Sequence, residues 1–226
     1  MKKVRVWDLP TRLFHWILLA LIVAAYTSRE LDAMVWHQRI GLAILGLIVF
    51  RLTWGFVGST HARFTDFLRG PAAIRAYLRG EWRGLGHNPL GGWSVLALLL
   101  APLGMALTGL FANDAVAFRG MLADRVSGSV STQLTDLHVL LFNALLVLVA
   151  LHVAAILYHR LAKKEDLVRP MLDGVKTVGE DAADAQGGGW SAVLFALTLA
   201  GASVALVFWL APAPVSLPAD YSKPDW

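Results

Sequence analysis

Five runs of roughly 20 mostly apolar residues divide the chain, and each is long enough to cross a bilayer as a helix. They cover about residues 10–28, 36–57, 90–112, 134–161 and 189–211. In hydrocarbon every backbone N–H and C=O must be satisfied within the segment, so apolar runs of this length fold as helices. Mean hydropathy is +0.58 and only 16% of residues are charged, too few for an ordinary soluble domain. The expected fold class is therefore all-α, an integral membrane helical bundle. The N-terminus is basic and then apolar, but no good cleavage site follows the run and it already contains His15. It is read as a retained first span.

Lys and Arg set the orientation. Fourteen precede the first span, join the second to the third, or follow the fourth, while five lie on the other side. The positive-inside rule then puts the N-terminus inside and the C-terminus outside. The basic balance (pI about 9.6) lies in loops between apolar runs, which suits anionic membrane lipid rather than nucleic acid. The chain has no cysteine, which excludes disulfides, thiolate metal ligands and thioether-linked haem. Gly187–Gly189 and an acidic run at 180–184 mark a flexible break before the fifth span, and the Pro-rich tail should be extended. Residues 1–175 are expected to form a four-helix domain, with 176–188 a linker, 189–211 a fifth transmembrane helix and 212–226 an extracytoplasmic tail.

The segment LHVLLFNALLVLVALHVAAILYH at 137–159 carries three histidines in an otherwise apolar stretch. Ionisable groups in a membrane helix are costly and mark function unless a neighbouring helix simply takes a hydrogen bond from them. His138 and His152 are fourteen residues apart. They therefore share a helix face and stand about 21 Å apart along the axis. His37 begins the second span and His15 lies one turn into the first. Alternating helix direction puts His37 level with His138, and His15 level with His152 in preference to His159. Two imidazoles at each of two depths suit haem iron and transmembrane electron transfer. A bare metal cage would need more donors than these. A proton relay would more often include intramembrane Asp or Glu, and none lies deep in a span.

Several stretches support a family resemblance: VWDLPTRLFHW at 6–16, WHQRIG at 36–41, FRLTWGFVGSTHARFTDF at 50–67, GHNPLGG at 86–92 and DLHVLLFNALLVLVALHVAAILYHR at 136–160. Over roughly residues 3–173 the chain resembles the bacterial cytochrome b561 and hydrogenase-type di-haem cytochrome b superfamily. The resemblance implies two haem b groups with axial ligands His15, His37, His138 and His152. It implies electron transfer between quinone and a partner redox protein, such as a cytochrome c or a dehydrogenase or hydrogenase subunit. The fifth span and its tail depart from the four-helix pattern. Superoxide or ferric reduction at an exposed haem edge, or a non-haem transporter or assembly role, are the competing functions.

Arg51 shares a face with His37 and either pairs with a propionate of the inner haem or snorkels to the interface. Arg12 and Arg39, each near a ligand histidine, are weaker propionate candidates beside an ordinary charge-bias role. His61 and His87 either line a quinone site or serve turn chemistry at Asn88–Pro89. His159 either exchanges protons with quinone at the inner interface or is a plain interfacial histidine. Tryptophans near the span ends fit an aromatic belt. Gly41, Gly46, Gly104 and Gly109 permit close approach of a haem or, by default, a helix.

Overall fold

A computed structural model describes residues 2–114, 118–179 and 183–212. Most of the expected tail and residues 180–182 of the linker lie outside the described residues. Five helices have the length and composition of membrane spans: α1 (Leu9–Glu30), α2 (Met34–Val57), α5 (Pro89–Gly109), α6 (Gly128–Leu161) and α8 (Trp190–Leu210). Shorter helices α3 (Phe64–Phe67), α4 (Pro71–Leu78) and α7 (Val168–Asp173) lie in the connections.

Local chemistry sets the helix starts. The Asp8 carboxylate accepts from Thr11 N–H at 2.7 Å and Pro10 occupies the first turn of α1, where its missing N–H costs nothing. Asn88 caps α5 in the same way, accepting from Gly91 N–H at 2.8 Å, with Pro89 following. Ser127 caps α6, so that helix begins six residues before the apolar run does. At 34 residues it is about 50 Å long and overshoots a 30 Å hydrocarbon core. Polar residues 128–133 continue the helix outside the apolar layer, which is why hydropathy alone places its start too late.

α2 is the centre of the bundle, packing against α1, α5 and α8. α6 packs along α5 and turns its histidine face towards α1 and α2. Leu42, Leu45, Leu110, Leu122 and Val207 form one core cluster, and Phe14, Ile44, Ile48 and Leu99 another. The fifth span is part of this bundle. Gly46 lets α8 approach α2 so closely that a Cβ there would sit 3.2 Å from Val204. Gly104 does the same for Leu141 of α6. At these two positions the glycine admits a helix, while around Gly41 there is open space.

The N-terminus is not a plain basic tail. β1 (Lys2–Arg5) pairs antiparallel with β2 (Val175–Val178), with Lys2 opposite Val178 and Arg5 opposite Val175, and Val4 is fully buried. The segment before α8 is also tied down. Ala185 N–H donates to Arg5 O at 2.8 Å and Thr60 N–H to Gln186 O at 2.9 Å. Four-residue strands are too short for an alternating pattern to be read from sequence, and their pairing partners are 170 to 176 residues apart. Trp16, Trp36, Trp93, Trp190 and Trp209 are exposed near span ends, as a belt requires. Trp54 is not a belt residue: it is wholly buried and its Nε1–H donates to Asp8 at 2.9 Å.

Candidate haem-binding site

At the upper end of the bundle, where α1 turns into α2, His37 faces His138 of α6 with ring centroids 6.2 Å apart. Each ring is held from behind. His37 Nδ1 lies 2.9 Å from the Ala25 carbonyl, and His138 Nδ1 lies 2.9 Å from the Met105 carbonyl. A carbonyl only accepts, so both Nδ1 atoms carry a proton, and in the neutral rings Nε2 is the nitrogen with the lone pair. Thr108 sits 3.2 Å from His138 Nδ1, and Gly109 opens the space for the ring: a Cβ there would lie 3.2 Å from its Cε1.

At the lower end, which carries the N-terminus, His15 of α1 faces His152 with centroids 6.4 Å apart. The partner of His15 is thus His152 and not His159. Trp16 meets the His15 ring edge-on at 4.9 Å, and His15 Nδ1 is buried without a hydrogen bond. Ten residues of α1 separate His15 from Ala25, the residue that meets His37, so on this side the two levels stand about 15 Å apart along the helix. Between α1 and α6, Tyr26 and Phe142 stack at 5.8 Å.

Both spacings match what a bound metal needs. Two metal–nitrogen bonds of about 2 Å and the half-widths of two imidazoles come to about 6 Å. Among the described residues no group of three or more His, Asp or Glu side chains could hold a bare ion. A pair of imidazoles with nothing else to complete the shell fits a metal whose remaining positions are filled by a macrocycle. The carbonyl bonds behind His37 and His138 are the outer contacts that orient such ligands.

The other predicted residues gather mainly at the lower end. Arg51 is 2% exposed, so it does not snorkel. Its Nη1 donates to Ala62 O at 3.2 Å, and its guanidinium lies about 6 Å from the rings of Phe14, Phe64 and Phe67. His87 sits between Trp7 (4.5 Å) and Phe67 (5.1 Å), with Nδ1 buried and unpartnered. Burial first, then the charges of Arg51, His152 and His61, hold His87 down from 6.5 to about 3, so it is neutral. His61 Nδ1 pairs with Asp66 at 3.0 Å. Arg12 donates to the Leu172 carbonyl, at the end of α7. Arg39, at the upper end, is exposed and stacks over Trp36 at 5.2 Å.

His159 belongs to a separate cluster. It is 7% exposed, with Nδ1 2.9 Å from Glu165 Oε2 and Nε2 3.2 Å from the Tyr77 hydroxyl. Lys176 Nζ donates to Glu165 Oε1 at 2.6 Å. These side chains line a cavity of about 270 Å³ with Trp82 and Arg83. Desolvation pushes the Glu165 carboxyl up, but hydrogen bonds from Lys176 and His159 outweigh it and hold the group below its usual value. Tyr77, Glu165 and Lys176 carried no signal in the sequence, because two separate connections, α2 to α5 and α6 to α8, must fold together to bring them to His159.

The family described as prokaryotic cytochrome b561 matches the chain over residues 6–174. The chain belongs to that family. It is also similar to a protein of Azotobacter chroococcum mcd 1 named as a probable Ni/Fe-hydrogenase B-type cytochrome subunit. The two are 24% identical over 221 residues, covering 80% of this chain and 91% of the relative. No solved structure matches it significantly. As a b561-family member it is a multi-pass membrane cytochrome b: its cofactor is haem b and its work is electron transfer. The family match covers α1, α2, α5 and α6, the four helices that hold or flank the paired histidines, and stops before α8.

Proposed function

We propose that the chain binds two haem b groups, one between His37 and His138 and one between His15 and His152. It then carries electrons across the bacterial inner membrane between the quinone pool and a partner redox protein. The observation that supports this best is the pairing itself: two facing imidazoles at each of two depths, with ring centroids 6.4 and 6.2 Å apart. Bound haem supplies a one-electron couple at each level. The chain's own contribution would be to orient the His37 and His138 imidazoles through the Ala25 and Met105 carbonyls, and to hold haem iron between two histidines at each level, which would make it an electron carrier rather than an oxygen-activating centre. Arg51, buried one residue from the level of His15 in its contact with Phe14, offers a cation to a propionate of the lower group. Arg12 and Arg39 are weaker candidates, since the first is engaged with Leu172 and the second is exposed.

The excess of Lys and Arg at the lower end supports a cytoplasmic N-terminus, and quinone exchange on that side near His159, His61 and His87. The name of the Azotobacter relative favours a hydrogenase as the partner redox protein, ahead of a cytochrome c or another dehydrogenase. Residues 1–175 form the haem-holding unit in this reading, and α8 braces it against α2.

A reduced-minus-oxidised optical spectrum with haem quantification tests the reading. Two b-type haems per chain are expected, and at most one in His138→Ala or in His15→Ala. A well-folded preparation without haem would refute it and leave a transporter or assembly role. Two haems that react rapidly with oxygen or ferric chelates but not with quinols would favour the reductase function.

A further inference from the structure

The cavity at the end of α6 holds a continuous hydrogen-bonded chain that the haem sites do not use. It runs from Lys176 through Glu165 and His159 to the Tyr77 hydroxyl, with contacts of 2.6, 2.9 and 3.2 Å. We propose that this chain is the proton-delivery route for quinone reduction, with Tyr77 as the terminal donor. The inference rests on the quinone reading above and deepens it.

Three features carry it. First, His159 lies seven residues beyond His152 on the same helix, about 10 Å further along the axis and on the same side. The cavity is therefore next to the lower histidine pair, on the side that faces water in the proposed orientation. Second, both imidazole nitrogens of a 7% exposed histidine are engaged by groups that can exchange protons, a carboxylate and a phenol. A histidine that only braced a loop would need neither. Third, the cavity, about 270 Å³, sits just below the usual range for small-molecule pockets, which suits a quinone ring but not its isoprenoid tail.

The proton accounting follows from the side-chain chemistry. Reducing a quinone to a quinol takes two electrons and two protons. The electrons arrive singly from the reduced cytochrome. For each one, the Tyr77 O–H bond breaks as an O–H bond forms on the quinone oxygen. The Tyr77 oxygen regains a proton from Nε2–H of a protonated His159, whose ring keeps its Nδ1–H, hydrogen-bonded to the Glu165 carboxylate. A solvent proton then restores the imidazolium. Two such passes complete the quinol, and quinol oxidation runs the same steps backwards.

His159 faces Glu165 from the loop after α6, Tyr77 from α4, Lys176 from β2, and Arg83 and Lys163 around the cavity. Glu165 is the one acidic side chain in that lining, beside the three cations Arg83, Lys163 and Lys176. Lys163 is drawn off over the Tyr77 ring at 5.0 Å, and Lys176 is paired with the carboxylate itself.

The experiment uses the haem-loaded, full-length protein in detergent, with short-chain ubiquinol and menaquinol analogues as probes. Haem reduction by stopped flow and analogue binding by calorimetry are followed from pH 5.5 to 9. Tyr77→Phe should slow electron exchange at least tenfold while haem content, spectrum and analogue affinity stay within twofold. Glu165→Gln, which removes the charged acceptor 2.9 Å from His159 Nδ1, should also slow electron exchange severalfold while haem content and spectrum stay unchanged. If the wild type exchanges with quinols and both variants match its rates and pH profile, the relay is refuted and the quinone reading stands. The same holds if the variants lose only thermal stability. If the wild type fails to exchange with either quinol, the quinone reading falls and the relay falls with it.

Discussion

Asp8→Ala is the substitution whose cost the structure specifies most fully. One Asp8 carboxylate oxygen caps α1 through Thr11 N–H at 2.7 Å, while the other accepts from Trp54 Nε1–H at 2.9 Å and from the Ser59 hydroxyl. Losing a cap of this kind costs about 1 kcal/mol. Trp54 is 0% exposed and Ser59 2%, so both donors would be stranded away from water. Each stranded group costs about 1–3 kcal/mol. The whole effect is therefore about 3–7 kcal/mol, or roughly 6–28 °C in Tm for a chain of this size. The consequence reaches the site, because Asp8 ties the start of α1 to the end of α2, and so fixes the height of His15 against the rest of the bundle. Thermal unfolding in detergent, followed by circular dichroism and by haem absorbance, is the assay. Asp8→Ala should melt early and release haem from the lower level first. Asp8→Asn, which keeps an acceptor for the cap, should recover part of the loss. Adding Trp54→Phe to Asp8→Ala removes one stranded donor and should cost less than the two changes made separately. An Asp8→Ala protein melting within 2 °C of wild type would refute the reasoning.

Gly109→Val places branched carbon where even a Cβ would be 3.2 Å from the His138 ring. It should displace that imidazole, disturb its bond to Met105 O, and alter one of the two low-spin iron signals in electron paramagnetic resonance while leaving the other unchanged. Stability should also depend on pH through His87. Its folded pKa of about 3 lies below the unfolded value of 6.5, so between those values the unfolded chain binds more protons. Stability should fall as pH drops from 6.5 towards 3, by at most about 1.4 kcal/mol per pH unit for one such group, and His87→Leu should flatten the slope in a denaturant series from pH 7 to pH 4.5.

The spans and the histidine pairs were legible for a simple reason. A membrane helix has one geometry and one direction of travel, so residue number converts to depth. His37 with His138 and His15 with His152 follow from that conversion, and the side chains do meet. The conversion is blind to everything that depends on loops. Arg51 was readable as sharing the face of His37, but its burial among Phe14, Phe64 and Phe67 depends on how residues 58–67 fold back over the end of α2. Glycines were readable as points of close approach. Which neighbour approaches was not: the His138 ring at Gly109, but the fifth helix at Gly46.

By itself, then, the sequence determined an all-α membrane bundle, the faces and depths of its histidines, and the cofactor chemistry those depths permit. Hydrophobic length and helical period are local properties, and they suffice for that. Tertiary structure alone decided that β1 closes on β2, that α8 joins the bundle through α2, and that Tyr77, Glu165 and Lys176 converge on His159. Those contacts join residues up to about 170 positions apart through short polar connections, where no periodic pattern exists to announce which partner each will meet.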